Sequence, residues 1–405
     1  MSITGLRPEI RGTVAESHPW IDFQLDLRKV SHVLWMLTGE ARSKCEHIAG
    51  VPLRPETAAS LYEIYLSKGV HATTSIEGNT LTEEQVRRHI KRTLKLPRSQ
   101  KYLGDEVRNI ADACNQIARD LLANPAVTLD RERIGHFNGL VLRGLEVEEH
   151  VIPGEVREYQ VGVLNYRGAP WEACKPLLDR LCDWLNRDFA CEDPDMKFAM
   201  SLFKAIVAHL YIAWIHPFGD GNGRTARLIE FQLLIQSGVP FPAAHLLSNH
   251  YNKTRTRYYA ELDRSSKTSD GWVGFMGYAI QGFVDGLREQ LAYIRDQQHQ
   301  VTWENYVHKL FQGEDTPARR RQKHLVLDMP EGETARRELT TISTRIAAEY
   351  ATKGEKTLTR DLNSLMKMGL VIRKGRGYAP NQEVILAFLP PRCEEPPPPE
   401  DGKLF

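Results

Sequence analysis

Residues 216 to 227 of this 405-residue chain read His-Pro-Phe-Gly-Asp-Gly-Asn-Gly-Arg-Thr-Ala-Arg. No ordinary structural element requires that string, but phosphate chemistry uses each of its parts. His216 can act as a base near neutral pH, and Asp220, four residues on, offers a hard carboxylate oxygen that suits Mg²⁺. Around Asn222, Gly221 and Gly223 leave room for backbone N–H groups to approach an anion that larger side chains would crowd. Arg224 and Arg227 lie three apart, so on a helix they share a face and can grip one polyphosphate. Taken singly, each feature has a plainer reading: a satisfied histidine, a turn, a pair of surface arginines of little energetic weight. Together they point to a site that binds a nucleotide and moves part of it.

The elements that must position this string are helical. It joins two apolar, helix-like stretches, Met196 to Ile215 and Thr225 to Gln236. The glycine-rich segment is therefore a turn that opens the second helix, so free backbone N–H groups and the positive end of the helix dipole face it. Leu202, Phe203, Ile206, Val207 and the run from Leu210 to Trp214 make the first stretch apolar on most faces, which predicts a buried central helix. Upstream, Glu56 to Ser67, Glu83 to Leu94, Gly104 to Leu122, Asp130 to Leu142 and Glu172 to Asn186 carry apolar residues at helical spacing. Strand signals are few, and Val161 to Leu164 is a short one.

The string resembles the core motif of the Fic family, HxFx(D/E)GNGRxxR. His216, Phe218, Asp220, Gly221, Asn222, Gly223, Arg224 and Arg227 fill every specified position. The resemblance implies a mainly α fold, a helical bundle with a small β-hairpin flap. It also implies transfer of AMP from ATP to a Ser, Thr or Tyr hydroxyl of a target protein or of the chain itself. In that reading His216 is the general base and Asp220 holds Mg²⁺. Gly221, Asn222 and Gly223 line an anion hole, Arg224 and Arg227 neutralise phosphate charge, and Phe218 anchors the loop. Tyr258, in the pair Tyr258-Tyr259, would pack on the nucleotide base, although two aromatics at the edge of a core read almost as well.

Two further matches extend the resemblance. Residues 73 to 79, Thr-Thr-Ser-Ile-Glu-Gly-Asn, resemble the family's inhibitory motif (S/T)xxxE(G/N) at Thr73, Glu77 and Gly78. This implies an inhibitory helix near residues 66–78 whose Glu77 pairs with Arg227 and keeps ATP from a productive pose. The same residues also read as a helix end, with Gly78 or Asn79 as a left-handed cap. Ile152 to Arg157, followed by Val161, Gly162 and Val163, resembles the flap, whose edge would receive a target chain by strand addition. The reverse reaction, removal of AMP with Glu77 orienting a water, uses the same residues and stays open. Dimerisation is common in the family, and no residue pattern here marks an interface.

Global properties narrow the setting. A net charge of +1 excludes a chain-wide polycation or an acidic tail-like protein. The N-terminus carries no basic run followed by an apolar block, and no stretch is expected to reach the roughly 20 apolar residues that span a bilayer. The expectation is a cytoplasmic protein without a membrane segment. The six cysteines, at 45, 114, 174, 182, 191 and 393, form no CxxC pair, which suits reduced thiols better than a zinc site or a disulfide framework.

The chain changes character after Arg319. Glu338 to Tyr350 and Thr357 to Met368 read as two short helices, followed by strand-like Gly369 to Arg373 and Gly375 to Ala379. This resembles a winged helix-turn-helix. Residues 318 to 376 hold 14 Lys/Arg against 7 Asp/Glu, a local +7. Such a face could hold DNA through residues 319–380, with Arg360 near base edges and Arg373, Lys374 and Arg376 on phosphates. A protein-docking face reads equally well, and DNA binding would make the chain a regulator with a nucleotide-sensing domain. The expected organisation is an N-terminal helical extension (1–55), a Fic domain (56–300), a winged helix-turn-helix (319–390) and a Pro-rich disordered tail (391–405).

Overall fold

The computed structural model describes residues 8–53, 55–163, 166–268, 270–313 and 316–386. Leu164 and the Pro-rich tail of residues 391–405 lie outside the described residues. The chain divides into two compact units, Met1–Ala292 and Tyr293–Phe405. The first unit begins with α1 (Pro8–Ser17) and α2 (His32–Gly50), then α3 (Pro55–Ile76), α4 (Glu83–Ile90), α5 (Lys101–Ala123) and α6 (Arg131–Leu142). A minimal hairpin follows, β1 (Gly162–Val163) against β2 (Tyr166–Arg167), antiparallel, with Gly162 opposite Arg167. Next come α7 (Trp171–Arg187), α8 (Pro194–Ile215), α9 (Asn222–Gln236), α10 (Leu246–Lys253), α11 (Arg255–Ser265) and α12 (Gly271–Leu310), whose residues from Tyr293 on belong to the second unit.

The bundle is built around α8, whose Leu202, Phe203, Ile206 and Ile212 are essentially inaccessible to solvent. One sequence expectation needs correction here. The helix Asp195–Ile215 is long and apolar enough, by length and composition, to cross a membrane. Its burial explains the apolarity without one: 78% of the apolar window is buried inside the bundle, as expected of a central core helix. The N-terminal residues are also not set apart, since Val14, Ile21, Phe23 and Leu34 belong to the same hydrophobic core as α8.

Helix α3 runs to Ile76, beyond the Ser67 end suggested by spacing, so the inhibitory segment is the last part of a longer helix. Gly69 interrupts the apolar pattern for a steric reason. A Cβ there would lie 2.1 Å from His245 Nδ1, so glycine lets α3 approach the start of α10. The helix stops at Gly78, whose φ of +101° is the left-handed turn expected of a cap.

The second unit contains α13 (Pro317–Asp328), α14 (Thr344–Tyr350), α15 (Glu355–Lys367) and the antiparallel pair β3 (Val371–Lys374) and β4 (Gly377–Pro380). Leu325, Val326, Ile346, Leu362 and Leu365 form its core. Buried among them, Asp361 accepts hydrogen bonds from Arg321 Nε (2.7 Å), Gln322 Nε2 (2.9 Å) and the Tyr350 hydroxyl (2.8 Å). Helix α14 starts at Thr344 and not at Glu338. Ser343 caps it by accepting from Ile346 N, and residues 338–343 are turns and bends outside any helix.

Candidate active site

The loop between α8 and α9 presents the phosphate-handling residues to a cavity of about 770 Å³ in the first unit. His216 ends α8 in the left-handed conformation (φ 51°, ψ 59°), its N–H bonded to Ile212 O. That conformation costs a non-glycine residue about 1–3 kcal/mol and persists only where its surroundings impose it. Arg157 supplies the restraint. Almost wholly buried, it donates from Nε to His216 O (2.7 Å), from Nη1 to Tyr159 O (2.5 Å) and from Nη2 to Ala169 O (2.6 Å). Its backbone N–H also donates to Pro217 O. Burial pulls the His216 imidazole down to about 4, against a hydrogen bond to the Ala213 carbonyl that favours protonation, so the ring is a free base at neutral pH.

The rest of the loop is clamped from below. Asn138 on α6 donates to Asp220 O (2.8 Å) and accepts from Gly154 N (2.9 Å), tying loop and flap segment to one side chain. Phe218 is buried as an anchor, as its place in the motif implied. Asn222 departs from the expected anion-hole role. Its amide exchanges two hydrogen bonds with the Phe218 backbone (2.9 and 2.8 Å), so the side chain holds the loop shape and only its backbone remains for an anion. Gly221, with φ of 75°, begins α9 and no side chain caps that helix, which leaves its first N–H groups facing the cavity wall.

The two arginines sit behind this wall, each held by carboxylates. Arg227, 1% exposed at its side chain, donates from Nη2 to Glu77 Oε1 (2.6 Å) and to Thr73 O (3.1 Å). Its Nε and Nη1 have no partner, and neither has Arg224 Nε. Arg224 reaches Glu106 (3.3 Å) and Asp220 (3.3 Å), and Asn79 in turn bonds Glu106 Oε2 (2.8 Å). Burial pushes the Glu77 carboxyl up, but Arg227, followed by Arg224 and His216, outweighs it and holds the group below the usual carboxylate range. Gly223 gives the Glu77 carboxylate its room, because a Cβ would lie 2.4 Å from Glu77 Oε1 and displace it.

Asp220 keeps half its side chain exposed and lines the cavity. Among the described residues no cluster of three metal-ligating side chains exists. A single carboxylate fits Mg²⁺ all the same, since that ion commonly takes one or two carboxylates and fills its shell with water and substrate phosphates. Tyr258 is placed differently from a free base platform. Its ring stacks on Tyr251 at 4.7 Å, its hydroxyl pairs with His209 Nε2 (2.9 Å), and only an edge meets the cavity. Its neighbour Tyr259 is the more accessible ring, and its hydroxyl donates to Ile76 O at the end of α3 (3.2 Å). On the flap side Val161 and Gly162 line the cavity, and Val163 pairs with Tyr166 in the hairpin register.

Sequence reasoning missed Arg157 as a support, Asn138 as the loop clamp and Glu106 as the partner of Arg224. Only Arg157 lay within a segment that resembles a family motif. The other two are polar residues on the buried faces of helices, a pattern that could have flagged them.

Comparison with known proteins agrees with this geometry. Residues 128–234 match the Fic/DOC family. The chain is 30% identical over 194 residues to the protein adenylyltransferase fic-1 of Caenorhabditis elegans, covering 48% of this chain and 35% of that protein. It is 26% identical over 178 residues to the protein adenylyltransferase Fic of Nematostella vectensis, covering 42% and 38%. The chain thus spans about a third of the length of these curated relatives. In fold it resembles a Fic family protein from Desulfovibrio desulfuricans G20, with a TM-score of 0.54 at 21% identity over 87% of this chain and 94% of that one. It also resembles Fic-1 (aa134 - 508) from C. elegans, with a TM-score of 0.53 at 22% identity over 65% and 74%. Motif, fold and these matches agree in placing a Fic/DOC family domain in this chain, at residues 128–234.

Proposed function

We propose that this chain is a protein adenylyltransferase that moves AMP from ATP to a hydroxyl side chain of a target protein, and that Glu77 holds it inactive. The observation that carries the proposal is a neutral His216 and an uncapped helix N-terminus lining one cavity, with two arginines that keep unpartnered donors buried behind its wall. Those donors are buried and costly to leave unmet, and phosphate oxygens are the acceptors that suit a guanidinium fork. In the reaction the target oxygen attacks the α-phosphorus, a new P–O bond forms and the bond to the bridging oxygen of the leaving pyrophosphate breaks. His216 takes the hydroxyl proton. Arg224 and the α9 N-terminus stabilise the charge that builds on the leaving group. Asp220 would hold Mg²⁺, which supplies charge neutralisation on the phosphates when bound. The flap edge at Val161 to Val163 would seat the target chain.

The test is labelling with α-³²P-ATP and Mg²⁺. Wild type should label weakly, Glu77→Gly strongly, and the added His216→Ala should abolish label. No label in any variant, on the protein or in a lysate, would remove the proposal.

We further propose that the second unit binds duplex DNA. Arg360 on α15 and Arg373, Lys374 and Arg376 on and beside the β3–β4 turn are all exposed, so their charge is available to phosphates. A salt-sensitive mobility shift of duplex DNA is the direct test.

A further inference from the structure

Tyr159 carries a hydroxyl that the arrangement above does not use. Its oxygen is enclosed and has no hydrogen-bond partner. The ring stands edge-on to His150 (centroids 4.4 Å apart, 79° between planes) and its backbone carbonyl is fixed by Arg157. The phenol tip rests on Gly219, where a Cβ would lie 2.0 Å from the hydroxyl oxygen, so the two positions are fitted to each other. Both residues line the same cavity as His216 and Asp220.

An enclosed hydroxyl without a partner costs stability that a phenylalanine at the same place would not. Its presence at the phosphate loop therefore calls for an acceptor that arrives with a ligand. Burial, with Glu148 and Asp220 nearby, pushes the phenol above its ordinary range, so it stays a donor at any physiological pH. None of the carboxylates that line the cavity accepts from it: Asp220 accepts from Gly221 N and Arg224, Glu77 from Arg227, and Glu148 and Asp263 pair with His150 and Lys267.

We infer that Tyr159 donates its hydroxyl to a phosphate oxygen of the bound nucleotide, a contact from the flap segment that the core motif does not encode. The inference rests on the reading of this cavity as an ATP site. It assigns Tyr159 a place beside Gly219, so that loop and flap segment close on the same phosphates.

The experiment uses the full chain carrying Glu77→Gly, with and without Tyr159→Phe. Calorimetric titration with Mg·ATP is compared with displacement by adenosine, which lacks phosphates. Tyr159→Phe should weaken ATP by about tenfold and leave adenosine within about twofold. Its melting temperature without ligand should hold or rise, because an unpartnered donor has been deleted. Unchanged ATP affinity in Tyr159→Phe overturns the inference and leaves the ATP site standing. Equal loss for adenosine also overturns it, since the residue would then support the cavity and not the phosphates. Failure of the Glu77→Gly parent to bind ATP overturns both.

Discussion

Arg227 gives Nη2 to Glu77 Oε1 at 2.6 Å across 150 residues of sequence, and in the proposed function this pairing is what would keep a buried cation from the nucleotide phosphates. Removing the carboxylate should therefore free the arginine for ATP. Glu77→Gly is expected to raise self-labelling or target labelling by about tenfold or more, a coupling of the usual size for a switch between two states. The same substitution strands Arg227, so the ligand-free variant should lose about 1–2 kcal/mol, discounted because Glu77 is 31% exposed. ATP should raise its melting temperature more than that of wild type. If the chain instead removes AMP, Glu77→Gly would cripple it on a pre-modified target, the opposite sign.

The pH dependence follows from two shifts. His216 is pulled from 6.5 to about 4 by burial, so its base form is available at and above neutral pH. Labelling by Glu77→Gly should be independent of this group from pH 6 to 8 and fall only on strong acidification. Deleting Glu77 removes a charge that favours protonated His216, which moves that fall further to acid. A depressed folded value also means that the unfolded chain takes the proton first. The stability tied to His216 is thus fully present above 6.5 and is lost as pH falls toward about 4. Denaturant midpoints should show wild type losing more over that window than His216→Ala, which also tests whether the residue is functional and not structural. Glu77 is held below the usual carboxylate range, so mild acid should not release the brake in wild type.

The catalytic loop was legible because its residues are local. Twelve positions from His216 to Arg227 fix a turn and a helix start, and chemistry dictates most of their types. The Glu77–Arg227 pairing was legible only through resemblance, since nothing in spacing brings residues 150 apart together. The extent of α3 was not legible in its apolar spacing, which fades after Ser67 where Gly69 makes a close crossing against His245. Asn222 was misread for a similar reason. An amide beside two glycines suggests ligand contact, whereas its two bonds to Phe218 are visible only once the loop is folded. The apolarity of α8 was underestimated because Lys197, Lys204 and His209 break the run in sequence while the remaining faces are packed.

Arg157 should matter to catalysis without touching the nucleotide. Its three side-chain nitrogens reach the carbonyls of His216, Tyr159 and Ala169, so it fixes the left-handed turn that aims the base. In the Glu77→Gly background, Arg157→Lys keeps charge but cannot bridge three carbonyls with one ammonium in the same geometry. It should lower kcat by about tenfold with ATP KM nearly unchanged, as expected for a misaligned base. Arg157→Ala would leave several buried carbonyls unmet and should cost about 3 kcal/mol of stability as well. An unaltered kcat in Arg157→Lys at full ATP saturation would show that the turn needs no such restraint.

The charge of the second unit is only partly free, which makes its DNA reading specific. Arg321 is committed to Asp361, Arg345 to Asp328 and Arg336 to the Thr359 hydroxyl. Reversing those would damage the fold and say little about binding. Arg373, Lys374 and Arg376 are exposed at the β3–β4 turn, with Arg373 lying over the Tyr378 ring at 5.9 Å. Changing Arg373, Lys374 and Arg376 together to Glu should leave the melting profile intact. If they meet phosphates, duplex affinity should fall and the slope of log K against log salt should shrink by about 0.9 for each phosphate no longer neutralised. Arg360→Ala should instead weaken binding selectively for preferred sequences, because a residue on α15 facing a groove reads base edges. Identical affinity and salt slope in the triple variant would remove DNA as the partner of this face and leave protein docking as its use.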